Sequence, residues 1–347
     1  MDVSDFDFEL PPELIAQEPP AERGTSRLLA LDRASGAIAD RRITDLPDLL
    51  APGDLLVVNN TRVFPARLLG HRVPSGGRVE CLLIRRVDGD VWEALVHPGQ
   101  KLKPGARLRL GDAPALHGEV LDRLFYGRRR VRLWTDDERG VEAVIEAIGH
   151  VPLPPYIHRA DLAADRERYQ TVYARQQGSV AAPTAGLHFT EPLLRAMAGR
   201  GVERVEITLH VGYGTFQPVR VTQVEEHRVE PERYEIDERA AAVINRAVDE
   251  GRRVIAVGTT TTRTLEGVAA VNGGRIVAGR GETGLFIYPG FRFQVLGGLI
   301  TNFHLPCSSL LMLVSAFAGR QRVLGAYHWA IDHKYRFYSY GDAMLCL

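Results

Sequence analysis

Val254-Ile-Ala-Val-Gly-Thr-Thr-Thr-Thr-Arg-Thr-Leu-Glu266 is an apolar run that stops at a glycine and passes into helix-compatible residues. The run is short and β-branched, so it reads as a buried strand. Gly258 supplies the tight turn, and the threonines open a helix. Upstream, Asp237 to Glu250 has the spacing of a helix capped by Asp237 and stopped by Gly251, feeding the strand Arg253 to Val257. Helix, strand, turn and helix in this order predict a layered α/β domain.

Three further segments share this punctuation. Thr208-Leu-His-Val-Gly-Tyr-Gly-Thr-Phe-Gln-Pro-Val219 alternates as a strand until Gly212 and Gly214 free the backbone. It is followed by the acidic stretch Glu225-Glu-His-Arg-Val-Glu-Pro-Glu232. Ala181-Ala-Pro-Thr-Ala-Gly-Leu-His-Phe-Thr190 is a loop delivering Thr184 and His188 to a helix whose predicted N-cap is Thr190. Gly298-Leu-Ile-Thr-Asn-Phe-His-Leu-Pro306 leads to Ser308, a predicted cap for the apolar helix Leu310 to Ala318. The chain then closes on Tyr335-Arg-Phe-Tyr-Ser-Tyr-Gly-Asp-Ala-Met344, an aromatic cluster that reads as core or as a base-stacking surface.

Between Arg67 and Gly149 the pattern changes to short strands with glycine and proline turns: Arg78 to Val87, Val91 to Val96, Arg107 to Leu110, Arg128 to Trp134. This predicts a small inserted β-barrel over 68–149, with the α/β domain built from 1–67 and 150–347. The chain is neutral overall, but Leu68 to Thr135 holds 13 Lys plus Arg against 7 Asp plus Glu, a net of +6. Arg128, Arg129 and Arg130 either follow a phosphate backbone or form a solvated hairpin face.

With 347 residues, 45% hydrophobic and 25% charged, the chain has the makings of a globular protein of one large or two ordinary domains. No apolar run approaches the ~20 residues of a membrane helix, and the acidic start lacks signal-peptide character, so a cytoplasmic protein is expected. The three cysteines, Cys81, Cys307 and Cys346, are too scattered for a disulfide framework, a zinc site or an iron–sulfur cluster. Neither a P-loop nor a Gly-x-Gly-x-Gly following a strand is present. No metal or resident cofactor is expected.

The four punctuated segments, together with Asp5-Phe-Asp-Phe-Glu-Leu-Pro-Pro-Glu-Leu-Ile-Ala-Gln17, Ser26-Arg-Leu-Leu29, Asp54-Leu-Leu-Val-Val-Asn-Asn-Thr-Arg-Val-Phe-Pro-Ala-Arg67 and Gly149-His-Val-Pro-Leu-Pro-Pro-Tyr-Ile157, resemble the S-adenosylmethionine:tRNA ribosyltransferase-isomerase family of queuosine synthesis. The resemblance covers nearly the whole chain. It departs at Cys307, Ser308 and Ser309, where the family usually has Lys-Ser-Thr after the His-Leu-Pro. The resemblance implies transfer and rearrangement of the ribosyl part of S-adenosylmethionine, a co-substrate, onto 7-aminomethyl-7-deazaguanine at the tRNA wobble position. Epoxyqueuosine is formed and adenine and methionine are released.

Such chemistry needs a base for the proton beside the sulfonium, a neutral amine, help for departing adenine and exclusion of water. His210 and His188 are the first candidates for the base, because each follows a strand or loop end next to glycine. Glu226 and His227 are candidates in the acidic stretch. Thr184, Gly186, Tyr213, Gly214, Thr215, Gly258, Thr259, Thr260, Thr261 and Arg263 are candidates for holding S-adenosylmethionine, with Tyr213 and Phe216 suited to face the sulfonium. For the tRNA and its base the candidates are Asn60, Arg62, His304 and Asp342, with the three barrel arginines. A monomer is expected.

Overall fold

The computed structural model describes residues 1–212, 214 and 218–347. A mixed sheet of nine strands forms the body. Its order is Gly279–Thr283 (β15), Glu232–Ile236 (β13), Glu203–Leu209 (β12), Leu55–Asn59 (β3), Val254–Val257 (β14), Leu296–Asn302 (β16), Ala343–Cys346 (β17), Arg27–Leu31 (β1) and Ile38–Arg42 (β2). The four central strands β12, β3, β14 and β16 are mutually parallel. Every residue of β3 and β14 is buried, as expected for runs such as Val-Ile-Ala-Val covered on both faces.

The two faces are sorted by alternation along the strands. Leu55, Val57, Val254 and Ala256 join one core with the helices Glu238–Asp249 (α5), Thr259–Val271 (α6), Ser309–Ala318 (α7) and Arg320–Asp332 (α8). Leu56, Val58, Ile255 and Val257 join another with Leu46–Leu49 (α1) and Glu191–Gly199 (α4). Caps expected from the sequence are made: Thr190 accepts from Leu193 N at 3.2 Å, Asp237 from Ala240 N at 2.7 Å, and Ser308 from Leu311 N at 3.2 Å.

The second unit is a closed six-stranded barrel. Its strands are Arg67–Val73 (β5), Arg78–Asp88 (β6), Val91–His97 (β7), Arg107–Leu110 (β8), Leu116–Arg123 (β9) and Arg128–Trp134 (β10), and Gly140–Ile148 (α2) packs against it. Two of these strands, β5 and β9, were not among the four expected from the sequence. The barrel is tied to the body by a neck of two parallel strands, Thr61–Val63 (β4) leaving and Gln176–Ser179 (β11) returning, with Asp165–Arg168 (α3) on the way back. The chain therefore leaves the end of β3, builds the barrel, returns beside β12 and crosses to β14. Ligands in open α/β sheets bind where strand order reverses in this way, at the carboxyl ends of the strands.

Candidate functional site

Two adjoining cavities open at the carboxyl ends of β12, β3, β14 and β16. The first, of about 430 Å³, is bounded by Thr184, Gly258, Thr259, Thr260, Asn302 and His304, together with Tyr156, Cys307, Ser308 and Tyr338. The second, of about 390 Å³, is bounded by His210, Gly178, Gly214, Glu230, Glu232 and Arg263 of the body and by Arg85 and Arg128 of the barrel. Val211 borders both. The expected single pocket is thus a pair, with the threonines in one half and His210 in the other.

In the first cavity the threonine run sorts itself by backbone chemistry. Thr261 Oγ1 donates to Val257 O at 2.7 Å, Thr262 Oγ1 to Gly258 O at 3.2 Å and Thr264 Oγ1 to Thr260 O at 3.0 Å, so these hydroxyls are spent within the helix. Thr261 therefore turns away from the cavity, contrary to its expected ligand role, and Thr259 and Thr260 remain on the wall. Gly258 turns the strand into α6 at φ +94°, a conformation side chains rarely adopt. The N-termini of α6 and α7 both meet this cavity, which makes it receptive to an anionic group.

Three residues on this wall carry a buried polar atom with no hydrogen-bond partner among the described residues: Thr260 Oγ1, Asn302 Oδ1 and the Tyr338 hydroxyl. Such groups are costly unless a ligand satisfies them. Tyr156 and Tyr338 stack with centroids 4.4 Å apart on the same wall, amid apolar Val211 and Val219. The closing aromatic cluster is thus mostly core, with Tyr335, Phe337, Tyr338 and Tyr340 all buried. Burial pushes the His304 pKa down to about 3, so it is neutral and paired through Nε2 with Thr301 Oγ1 at 2.8 Å.

The second cavity is polar. Arg263 pairs with Glu232 at 2.5 Å, both nearly fully buried, and Glu232 also accepts from Gly212 N at 2.9 Å. Arg128 bridges Glu93 of the barrel, at 2.8 Å, and Glu230 of the body. His210 is held through Nδ1 by Thr61 Oγ1 at 2.9 Å, and its pKa is lowered by burial and then by Arg233. The backbone just before it is fixed by Asn59, whose Oδ1 accepts from Leu209 N at 3.0 Å and whose Nδ2 donates to Leu209 O at 2.9 Å.

Several candidates stand elsewhere. His188 is buried beneath the first cavity, between Ser26 Oγ at 2.9 Å and Asn302 Nδ2 at 3.1 Å, and burial lowers its pKa to about 4. It orients Asn302 and borders neither large cavity. Gly186 packs where a Cβ would meet the Tyr173 hydroxyl at 2.4 Å. Asp342 accepts from Arg27 N at 2.9 Å and Arg336 N at 2.8 Å, clasping the last turn. Asn60 is buried against Thr208 and Glu206, and Arg62 is exposed outside both cavities.

Glu226 is exposed and His227 packs edge-on against Phe286 at 5.0 Å, so the acidic stretch contributes Glu230 and Glu232 instead. Arg129 points inward, donating to Leu102 O at 3.0 Å and Gly99 O at 2.8 Å, and is closed to phosphate. Arg130 is exposed beside Asp122. Tyr213, Thr215 and Phe216 lie outside the described residues. Thr61, Gly178 and Ser179 were missed because nothing in the sequence marks them; only the neck brings them under His210.

A family model described as queuosine biosynthesis protein matches residues 3–346. The chain belongs to the queuosine biosynthesis protein family. Relatives in this family named S-adenosylmethionine:tRNA ribosyltransferase-isomerase include those of Desulfitobacterium hafniense, 54% identical, and Symbiobacterium thermophilum, 53% identical. Each alignment spans 100% of this chain and 100% of the relative. The crystal structure of S-adenosylmethionine tRNA ribosyltransferase from Thermotoga maritima is similar in fold, with TM-score 0.56 and 37% identity, covering 99% of this chain and 100% of that one. The layered α/β body with inserted barrel is therefore the family fold. Among the described residues no helix is long and apolar enough to cross a membrane, and no group of three or more His, Cys, Asp or Glu stands together as for a metal.

Proposed function

We propose that the chain is an S-adenosylmethionine:tRNA ribosyltransferase-isomerase, acting on tRNA that carries 7-aminomethyl-7-deazaguanine and yielding epoxyqueuosine, adenine and methionine. The first cavity takes S-adenosylmethionine. Its methionine carboxylate lies toward the N-termini of α6 and α7, and its adenine lies against the Tyr156–Tyr338 stack. The second cavity, shared between barrel and body, takes the deazaguanine with its amine, where Glu230 and Glu232 supply acceptors. His210, next to Val211 where the two cavities meet, acts as base toward the carbon beside the sulfonium. The C–H bond breaks, the proton goes to the imidazole, and the electron pair stays on carbon next to the positive sulfur.

The observation that carries this reading is the pairing of two cavities at Val211, one with unpaired polar atoms and helix N-termini, the other with His210 and carboxylates. A lowered His210 pKa keeps the imidazole neutral, and so able to accept a proton, at neutral pH. The test is to incubate the protein with S-adenosylmethionine and tRNA bearing the aminomethyl base. Adenine release that depends on that base is expected; none, where the Desulfitobacterium relative releases it, overturns the reading.

A further inference from the structure

We infer that Thr61 and Ser179 are positioning residues that fix the tautomer of His210, placing its hydrogen on Nδ1 and its lone pair on Nε2 toward the second cavity. This rests on the reading of His210 as the base. Thr61 is fully buried and has one hydroxyl proton. It donates to Ser179 Oγ at 3.0 Å, with Gln176 O at 3.4 Å as a weaker second acceptor. With that proton given to Ser179, the Thr61 oxygen, 2.9 Å from His210 Nδ1, has lone pairs left for the imidazole N–H. Nδ1 thus bears hydrogen and Nε2, with no partner among the described residues, keeps the free electron pair.

Two further contacts hold this arrangement. Ser179 Oγ accepts from Val211 N at 2.7 Å, which ties the hydroxyl pair to the backbone following His210. Gly178 lies against the ring: a Cβ there would stand 2.8 Å from both Nδ1 and Cε1. The imidazole is therefore gripped along its Nδ1 edge by the neck strands β4 and β11. When Nε2 takes the substrate proton, the hydrogen stays on Nδ1 and keeps donating to the Thr61 oxygen, so the hydroxyl stabilises the imidazolium without itself moving a proton.

The test compares Thr61→Val, nearly isosteric without the hydroxyl, with Thr61→Ser, which keeps it. Thr61→Val is expected to lower kcat by roughly tenfold or more with little change in KM for S-adenosylmethionine, and Thr61→Ser to restore most of the rate. Nitrogen-15 imidazole spectra, with the His210 signals assigned by their loss in His210→Ala, should show the Nδ1–H tautomer in wild type and Thr61→Ser. In Thr61→Val the Nε2–H form should gain. Should Thr61→Val not fold, Ser179→Ala should give a weaker shift of the same sign. An inactive His210→Ala beside a Thr61→Val with wild-type kcat and tautomer overturns this inference alone, as does a folded Thr61→Ser as slow as Thr61→Val. A fully active His210→Ala overturns the reading beneath it.

Discussion

At the scale of single residues, His210 and Thr260 carry the sharpest expectations. Replacing His210 with Ala should cost turnover on the order of a hundredfold or more while circular dichroism and melting stay near wild type, because the ring is only half-buried. Thr260→Val exchanges a buried, unpaired hydroxyl for a methyl group. If the hydroxyl meets S-adenosylmethionine, KM for that substrate should rise by about fivefold, the worth of one hydrogen bond near 1 kcal/mol, while the ligand-free protein melts no lower. A KM unchanged beside a raised melting temperature would remove Thr260 from the site. Both residues were legible in the sequence, since each follows a strand at a glycine turn. His188 matched the same pattern, yet burial makes it a support for Asn302.

Among the elements, α6 does two jobs at once. Its N-terminus faces the first cavity, while Glu266, fully buried two turns on, accepts from Gln294 N at 2.8 Å, Val295 N at 3.0 Å and Leu296 N at 2.9 Å. The carboxylate thereby fixes the entry into β16, whose far end supplies Asn302. Glu266→Ala leaves three N–H groups without their acceptor, two of them buried, and should lower the unfolding free energy by about 3 kcal/mol or more in urea denaturation; a loss below about 1 kcal/mol would mean that water replaces the carboxylate. In the barrel the three consecutive arginines divide by strand parity. Arg129 is an interior residue bonded to carbonyls, whereas Arg130 and Arg132 face outward. Arg130→Ala and Arg132→Ala should each reduce the slope of log affinity for tRNA against log salt by about one, and Arg129→Ala should instead destabilise the barrel.

For the whole molecule, the buried histidine beneath the site links folding to pH. His188 stays neutral in the native state until about pH 4, because burial and then Arg23 oppose its protonation, whereas an unfolded histidine takes a proton near 6.5. The unfolded state binds more protons between these values. The contribution is therefore fully present above about pH 6.5 and is lost as pH falls toward 4, on the order of 3 kcal/mol from this group. His188→Gln should flatten the dependence of the denaturation midpoint between pH 7 and 5; a slope equal to wild type would place the titration elsewhere.

The sequence by itself determined the layered body, the inserted barrel, the helix caps and the family, since local periodicity, turn residues and ordered motifs are properties of neighbouring positions. It also marked the strand ends that border the two cavities. Only tertiary structure decided that the expected pocket is two, that Glu230 and Glu232 rather than Glu226 enter it, and that Thr61 and Ser179 grip His210. Those pairings span 118 to 149 residues between Thr61 and its partners. They exist because a parallel neck returns the chain to the point it left, a long-range geometry that no local pattern encodes.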